Sequence, residues 1–326
     1  MLKDKFNRIH DYLRISLTDR CNFRCRYCMP SEQMQFSPHE KLMRADEIFQ
    51  IAKVFVREGV KKIRLTGGEP LVRNDAKQIL ESLSTLPVEL AITTNGYLAG
   101  EFKNVLKKCG IHSVNISLDS LDKNLFRQIT QRDHFETVFR NILDFTKSGF
   151  HVKVNAVLMK GVNDHELEDF IELTRNYPLH IRFIEYMPFS GNKWDAEKVL
   201  SHQEALDRIS ASFDYVKLLD GPHDTAKKFK VIGHEGTFAL ISTMTEPFCG
   251  NCNRLRLTAD GKMKNCLFSK GETDLLSALR TGEDILPLIR ENVLRKEKER
   301  GGQLLNLDQM DKVKSIENRS MVRIGG

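Results

Sequence analysis

Leu13-Arg14-Ile15-Ser16-Leu17-Thr18-Asp19-Arg20, running straight into Cys21-Asn22-Phe23-Arg24-Cys25-Arg26-Tyr27-Cys28, is the stretch that decides the fold. Its first half alternates: Leu13, Ile15 and Leu17 share one face, and Arg14, Ser16 and Thr18 share the other, the period of two that marks a strand. Apolar-rich runs recur at Tyr12–Thr18, Lys62–Thr66, Val88–Thr94, Ser113–Leu118, Val152–Leu158 and Ile181–Met187. Helical patterns lie between them near 45–58, 75–84, 99–108, 134–148 and 164–175, with Asp122–Thr130 a further turn or two. Strands alternating with helices imply right-handed crossovers and a parallel sheet. Six such units predict an α/β fold, an incomplete parallel (β/α)6 barrel rather than a full eight-unit one.

Parallel strands covered by helices usually read as continuous apolar runs. These alternate instead. Ile63 and Leu65 oppose Lys62, Arg64 and Thr66; Ile116 and Leu118 oppose Asn115, Ser117 and Asp119; Val152 and Val154 oppose Lys153 and Asn155; Ile181 and Phe183 oppose Arg182. The apolar face is expected against the helices and the polar face in a lumen suited to a polar ligand. Residues 1–190 are expected to form this barrel. Residues 191–200 read as an irregular connection, opening a C-terminal α+β region, 191–326, that closes the barrel mouth. It holds a mixed stretch to about 280, a charged helix near 283–300 and a polar tail ending Ile324-Gly325-Gly326.

Length and composition set the frame. A chain of 326 residues is about two domain units, with 40% hydrophobic and 29% charged residues, as in an ordinary globular protein. No apolar run approaches the roughly 20 residues that span a bilayer. Met1-Leu2-Lys3-Asp4-Lys5-Phe6 lacks the apolar core of a secretory signal, so a cytoplasmic location is expected. The net charge of +6 is no nucleic-acid footprint, because the basic residues are scattered among acids. It suits a polyanionic small ligand if cations converge on one pocket. Neither a nucleic-acid nor a membrane partner is expected.

Seven cysteines in a chain of that location argue against disulfides. Cys21, Cys25 and Cys28 follow the first strand at the end where parallel α/β folds put their sites. Three thiolates on one loop can hold three irons of a four-iron cluster and leave the fourth open to a ligand; no nearby histidine or fourth cysteine completes a zinc tetrahedron. Cys249, Cys252 and Cys266 form a second triplet. It suits a second such cluster, or zinc with His234 or His223 as fourth ligand. Cys109 has no partner spacing and reads as a small buried hydrophobe.

The run from Leu13 into the first triplet, followed by Met29-Pro30, resembles the radical S-adenosylmethionine superfamily, and Thr66-Gly67-Gly68-Glu69-Pro70 resembles its methionine-binding turn, whose glycines admit close main-chain approach. The match narrows to the GTP 3′,8-cyclase family of molybdenum cofactor biosynthesis. Thr93-Thr94-Asn95-Gly96, Asn115-Ile116-Ser117-Leu118-Asp119, Lys160-Gly161, Arg182-Phe183-Ile184-Glu185-Tyr186-Met187, Phe248-Cys249-Gly250-Asn251-Cys252-Asn253-Arg254-Leu255-Arg256-Leu257 and Ile324-Gly325-Gly326 occur in family order. Met187-Pro188-Phe189-Ser190-Gly191-Asn192 is a visible variation, and nothing is transferred onto 267–300.

The resemblance implies two 4Fe-4S clusters, on Cys21, Cys25 and Cys28 and on Cys249, Cys252 and Cys266, with S-adenosylmethionine held by Tyr27, Gly68, Ser117 and Met187. It implies GTP as substrate on Arg14, Arg64, Thr93, Lys160, Arg254, Leu255 and Arg256, with Arg254, Arg256, Gly325 and Gly326 as the catalytic set. A 5′-deoxyadenosyl radical would take the ribose 3′ hydrogen, closing the sugar carbon onto guanine C8 to give 3′,8-cyclo-7,8-dihydro-GTP, a lyase-type cyclisation. An electron donor such as a flavodoxin or ferredoxin, a downstream cyclic pyranopterin monophosphate synthase and a homodimer also follow from the resemblance. Two rivals stand beside it: a radical peptide-modifying enzyme with an auxiliary cluster, and a zinc-stapled nucleic-acid-binding module.

Overall fold

A computed structural model describes residues 1–29, 34–303 and 316–326. The six expected strands all form: β1 (Tyr12–Ser16), β2 (Lys62–Thr66), β3 (Glu89–Thr94), β4 (Ser113–Ser117), β5 (His151–Leu158) and β6 (His180–Glu185). Between them run α1 (Ala45–Arg57), α2 (Ala76–Leu83), α3 (Ala99–Lys108), α4 (Lys123–Thr130), α5 (Phe135–Lys147) and α6 (Leu167–Asn176). Each helix buries one stripe. In α1, Ile48, Ile51, Ala52 and Phe55 are buried at helical spacing. They join one core with Leu13, Ile15, Ile63, Leu65, Ile116, Val152, Val154, Ile181 and Phe183, which is the apolar strand face read from the alternation.

The remaining elements are α7 (His202–Ser212), β7 (Tyr215–Lys217), β8 (Lys227–Val231), β9 (Thr237–Ile241), β10 (Arg254–Leu257), β11 (Lys262–Lys264), β12 (Thr273–Asp274), α8 (Leu275–Arg280), α9 (Leu286–Leu294) and α10 (Met321–Ile324). Their strands lengthen the sheet at both edges. β9 lies parallel beside β6 and β10 parallel beside β1. Among the described residues the order is β12-β11-β10-β1-β2-β3-β4-β5-β6-β9-β8-β7. Eight strands from β10 to β9 therefore run parallel, two more than the helix-strand alternation predicted, and the barrel stays open between β12 and β7. The charged helix expected over 283–300 is cut to α9. Lys296 turns inward and is 2% exposed, and Arg300 and Gly301 adopt positive φ, so the charged run leaves the helix to pack on the sheet edge. A small second core of Phe189, Met244, Phe268 and Ile324 seats α10.

The turn after β2 explains the Gly-Gly-Glu sequence. A Cβ at Gly67 would stand 2.7 Å from the Thr18 carbonyl oxygen, and one at Gly68 would stand 2.3 Å from that of Arg20. The amide of Gly68 donates to Thr18 O at 2.6 Å, and that of Glu69 donates to Arg20 O at 2.8 Å. The fully buried Glu69 accepts from the Leu71 amide at 3.1 Å, the Thr94 hydroxyl at 2.8 Å and the Asn95 amide at 2.6 Å. The glycines thus let main chain press on main chain, and the glutamate ties the ends of β1, β2 and β3 together just before Cys21. Gly68→Ala is expected to cost about 1–3 kcal/mol by forced backbone displacement. Gly271→Ala, where a Cβ meets nothing within 4 Å, should be neutral or slightly stabilising. Thermal unfolding of the two variants checks this.

Candidate functional site

The segment after β1 is pinned by its backbone. The amides of Arg24 and Arg26 donate to Thr130 O and Ile129 O at the end of α4, at 3.0 and 3.1 Å, while those of Cys28 and Met29 turn back onto Cys25 O. Phe23 packs edge-on against Phe126 at 6.0 Å. Asn95 donates to Asn22 Oδ1 at 2.7 Å and to Cys21 Sγ at 3.8 Å. The Tyr27 hydroxyl donates to Asp119 Oδ2 at 2.8 Å, while Asp119 Oδ1 receives the Val157 amide at 2.9 Å. Cys21, Cys25 and Cys28 are free thiols and line one cavity. Burial, with the nearby charge of Glu69, pushes the Cys21 thiol up to about 12. Burial and the charges of Asp119 and the neighbouring thiols raise Cys25 and Cys28 well above the usual thiol range. Such a trio becomes three thiolates only around a strongly cationic centre, and that chemistry fits an iron–sulfur cluster. Pro30, quoted with Met29, lies outside the described residues.

The second triplet stands beside residues that line the same cavity. Cys249–Asn251 form a short helical turn before β10, and Phe248, Asn253, Arg254, Arg256 and Leu267 beside these cysteines line the cavity. Burial raises the Cys252 thiol, but the charges of Lys296 and Arg254 outweigh it and bring it down to about 6. Cys252 is therefore a thiolate at neutral pH, ready to ligate. Of the zinc candidates, His234 Nδ1 pairs with the Thr174 hydroxyl at 2.8 Å and the ring meets Phe213 edge-on. His223 Nδ1 pairs with Asn251 O at 2.8 Å. Among the described residues no set of three or more His, Cys, Asp or Glu side chains converges on a single-ion site.

Strand register builds the space between the triplets. Arg256 on β10 pairs with Arg14 on β1, which pairs with Arg64 on β2. Paired residues share a face at roughly 4.8 Å strand spacing, so three guanidinium groups stand side by side. One step back, Arg254, Tyr12 and Lys62 repeat the row. From the far wall come Lys153, paired to Asn115, and Arg182, paired to Asn155. All line a cavity of about 710 Å³. Burial and their neighbours' charges push Arg14 down to about 10, Arg182 to about 9 and Lys153 to about 8, and hold Arg256 well below its usual value. Burial raises Tyr12, but Arg64 and Arg14 outweigh it and bring it to about 8; its hydroxyl receives Arg64 Nε at 2.6 Å. Arg14 Nε is buried without a partner. Like charges directly opposite in a sheet are destabilising, and planar guanidinium forks bind phosphate in pairs. The row is built for a polyanion.

Most expected site residues meet here: Tyr27, Gly68, Ser117 and Met187 near the first triplet, and Arg14, Arg64, Thr93, Arg254 and Arg256 along the walls. Gly326 also lines the cavity, and Gly325 O accepts from Arg256 at 2.5 Å. Cys249, Cys252, Cys266 and Gly325 adjoin lining residues without lining the cavity themselves, and two others lie away from it. Lys160 lies past the end of β5 and pairs with Glu204 at 2.8 Å, outside the lining. Leu255 is fully buried in the apolar core. Lys153 and Arg182 do line the cavity; the alternation had already put both on the polar face, but the motif match drew attention to Lys160. Glu69, Asn95 and Tyr12 were also missed, because only contacts distant in sequence reveal them.

The Radical SAM superfamily pattern matches residues 15–174, and that of Molybdenum Cofactor Synthesis C matches 179–301. The chain is 46% identical over its full length to a mitochondrial GTP 3′,8-cyclase of Arabidopsis thaliana, covering 84% of that protein. It is 47% identical over 91% of its length to molybdenum cofactor biosynthesis protein 1 of Drosophila melanogaster, covering 54% of it. It spans about half the length of several such animal relatives. The structure of SuiB from Streptococcus suis bound to S-adenosylmethionine aligns over 97% of this chain and 77% of SuiB with a TM-score of 0.64 at 16% identity, a likeness of fold.

Lys153 stays charged at neutral pH, below its depressed value of about 8, so the ligand-free protein carries its full repulsion there. Lys153→Met is expected to stabilise that state by about 1 kcal/mol, raising Tm by roughly 2–4 °C, while weakening triphosphate binding about tenfold. Affinity for inorganic triphosphate should fall as pH rises through about 8, where Lys153 loses its positive charge and Tyr12 gains a negative one, and the fall should be shallower in the variant. Thermal melts and calorimetric titrations across pH read both.

Proposed function

Because the chain belongs to the GTP 3′,8-cyclase family of the radical S-adenosylmethionine superfamily, we propose that it converts GTP to 3′,8-cyclo-7,8-dihydro-GTP, the first step of molybdenum cofactor biosynthesis. The observation that carries this reading is one cavity lined by Cys21, Cys25 and Cys28, by the Arg256–Arg14–Arg64 row and by Phe248, Asn253, Arg254 and Leu267, the sequence neighbours of the second triplet. Cys21, Cys25 and Cys28 hold the first cluster, and Cys249, Cys252 and Cys266 a second. When bound, the first cluster supplies the electron that cleaves S-adenosylmethionine and so generates the hydrogen-abstracting radical.

This chain's residues bind, orient and enclose. Gly68, Ser117 and Met187 contact S-adenosylmethionine, and Tyr27 is steered toward it by Asp119. Arg14, Arg64 and Arg182 hold the triphosphate, with Lys153 in the place expected for Lys160. Cations already desolvated and aligned need little reorganisation when the nucleotide arrives. Thr93 borders the ribose side, and Arg254 and Arg256 hold the nucleotide toward the second triplet. Arg256 also fixes Gly325, which closes the cavity against water. Beyond the site, the reading includes lyase chemistry, a flavodoxin- or ferredoxin-like electron donor, cyclic pyranopterin monophosphate synthase as consumer of the product, a homodimer and a cytoplasmic location. No helix among the described residues is long and apolar enough to cross a membrane.

Anaerobic reconstitution with iron and sulfide, then GTP, S-adenosylmethionine and dithionite, should give 5′-deoxyadenosine and a cyclised nucleotide in step. Deoxyadenosine without nucleotide conversion, or no GTP binding at micromolar concentration, would sink the assignment. Gly325→Ala tests the tail. Its φ is +88°, and a Cβ there would stand 2.7 Å from Thr66 Oγ1 and 2.8 Å from Ser16 Cβ. The variant should lose at least about 100-fold in cyclisation, the scale of a 1 Å misplacement, with iron content unchanged.

A further inference from the structure

Lys296 is among the most deeply buried charged side chains of the molecule, 2% exposed. Its Nζ donates to Arg254 O at 2.8 Å and to Cys252 Sγ at 3.5 Å. Among the described residues no carboxylate lies within ion-pair distance of it. A buried ammonium with no counter-ion is costly, since charges leave water at little loss only when paired. The one anion within its reach is the Cys252 thiolate.

The surroundings hold it there. Val293 and Ile289 anchor α9 in the core, and the Lys296 amide bonds Val293 O at 3.1 Å just beyond the helix. Arg8 then clamps the two sides of the site: its guanidinium donates to Cys249 O at 2.9 Å, Lys298 O at 2.7 Å and Glu297 O at 2.9 Å. Asp4 grips Arg8 Nε at 2.6 Å and His10 Nε2 at 3.1 Å. The N-terminal segment therefore splints the second triplet to the chain around Lys296.

We propose that Lys296 is a positioning residue of the second cluster: it neutralises the Cys252 ligand, raises that cluster's reduction potential and holds the start of β10 so that Arg254 and Arg256 face the cavity. This rests on the second-cluster reading above. The couple is one electron taken from an external donor; the added negative charge is stabilised by the ammonium and by its N–H···S bond, and hydrogen bonds to sulfur and local charge are among the determinants of cluster potential.

The test is an EPR-monitored redox titration of the reconstituted full chain. The second cluster's signal is the one that survives substitution of Cys21, Cys25 and Cys28 by Ser. Lys296→Met and Lys296→Gln should each lower the ratio of reduced to oxidised second cluster at fixed poise by about tenfold, about 59 mV for a one-electron couple, and Lys296→Arg should restore most of it. If Met fails to load iron, Gln decides; failure of both with loading restored by Arg also supports the role. An unchanged midpoint in whichever neutral variant loads, or failure of all three variants alike, overturns it. Wild-type protein lacking iron on the second triplet would instead overturn the second-cluster reading itself, and with it this inference.

Discussion

Three arginines in one register row are the constraint around which this molecule is arranged. Parallel pairing fixes Arg256, Arg14 and Arg64 on neighbouring strands, so their side chains leave the same face of the sheet at adjacent positions. A sheet accepts such a row only if its other face compensates. Here Leu255, Leu13 and Ile63, each 0% exposed, form the alternate row one residue away and pack into the core. The alternation is thus an energetic division: one face of each strand provides the hydrophobic stabilisation, and the other stores unfavourable charge that only a polyanion relieves. The depressed values of Arg14, Arg182 and Lys153 are the trace of that stored repulsion.

What was legible in the sequence was whatever repeats at short range. Period-two alternation marked β1 to β6 and named the lumen face, because pleat geometry leaves no other place for Lys153 or Arg182. The cysteine spacings marked two ligand sets for the same reason. The partners of β9 and β10 were not legible. Arg256 follows Arg14 by more than two hundred residues, and no local pattern says which edge a four-residue strand will join. Lys160 shows the opposite error. Its motif stood in family order, yet it lies beyond the end of β5 on Glu204, whereas the lysine that alternation placed inward does line the cavity.

Two features were visible as letters and explained only by contacts. Gly67-Gly68-Glu69 was read as a loop that lets a ligand approach. Its immediate cause is closer: the chain at Thr18 to Arg20 occupies the space that side chains would need, and Glu69 accepts from the Leu71 and Asn95 amides and the Thr94 hydroxyl. Any benefit to a ligand comes second, through the rigidity this gives to the approach to Cys21. The charged run near 296–300 falls within the charged helix expected near 283–300. The structure buries its first lysine, because the site beside it supplies an anionic thiolate that no sequence window contains.

The two triplets differ in their electrostatic surroundings. Burial dominates the first, and Glu69 and Asp119 add negative charge that opposes thiolate formation there. At the second, Lys296 and Arg254 overcome burial and lower Cys252, while burial raises Cys249 despite the opposing pull of Arg300. Cations therefore gather at Cys252, and carboxylates gather at the first triplet. The row of arginines stands on β10 and its neighbours. The sheet register that lines up the arginines therefore also carries Arg254 to Cys252, and both follow from the single pairing of β10 with β1.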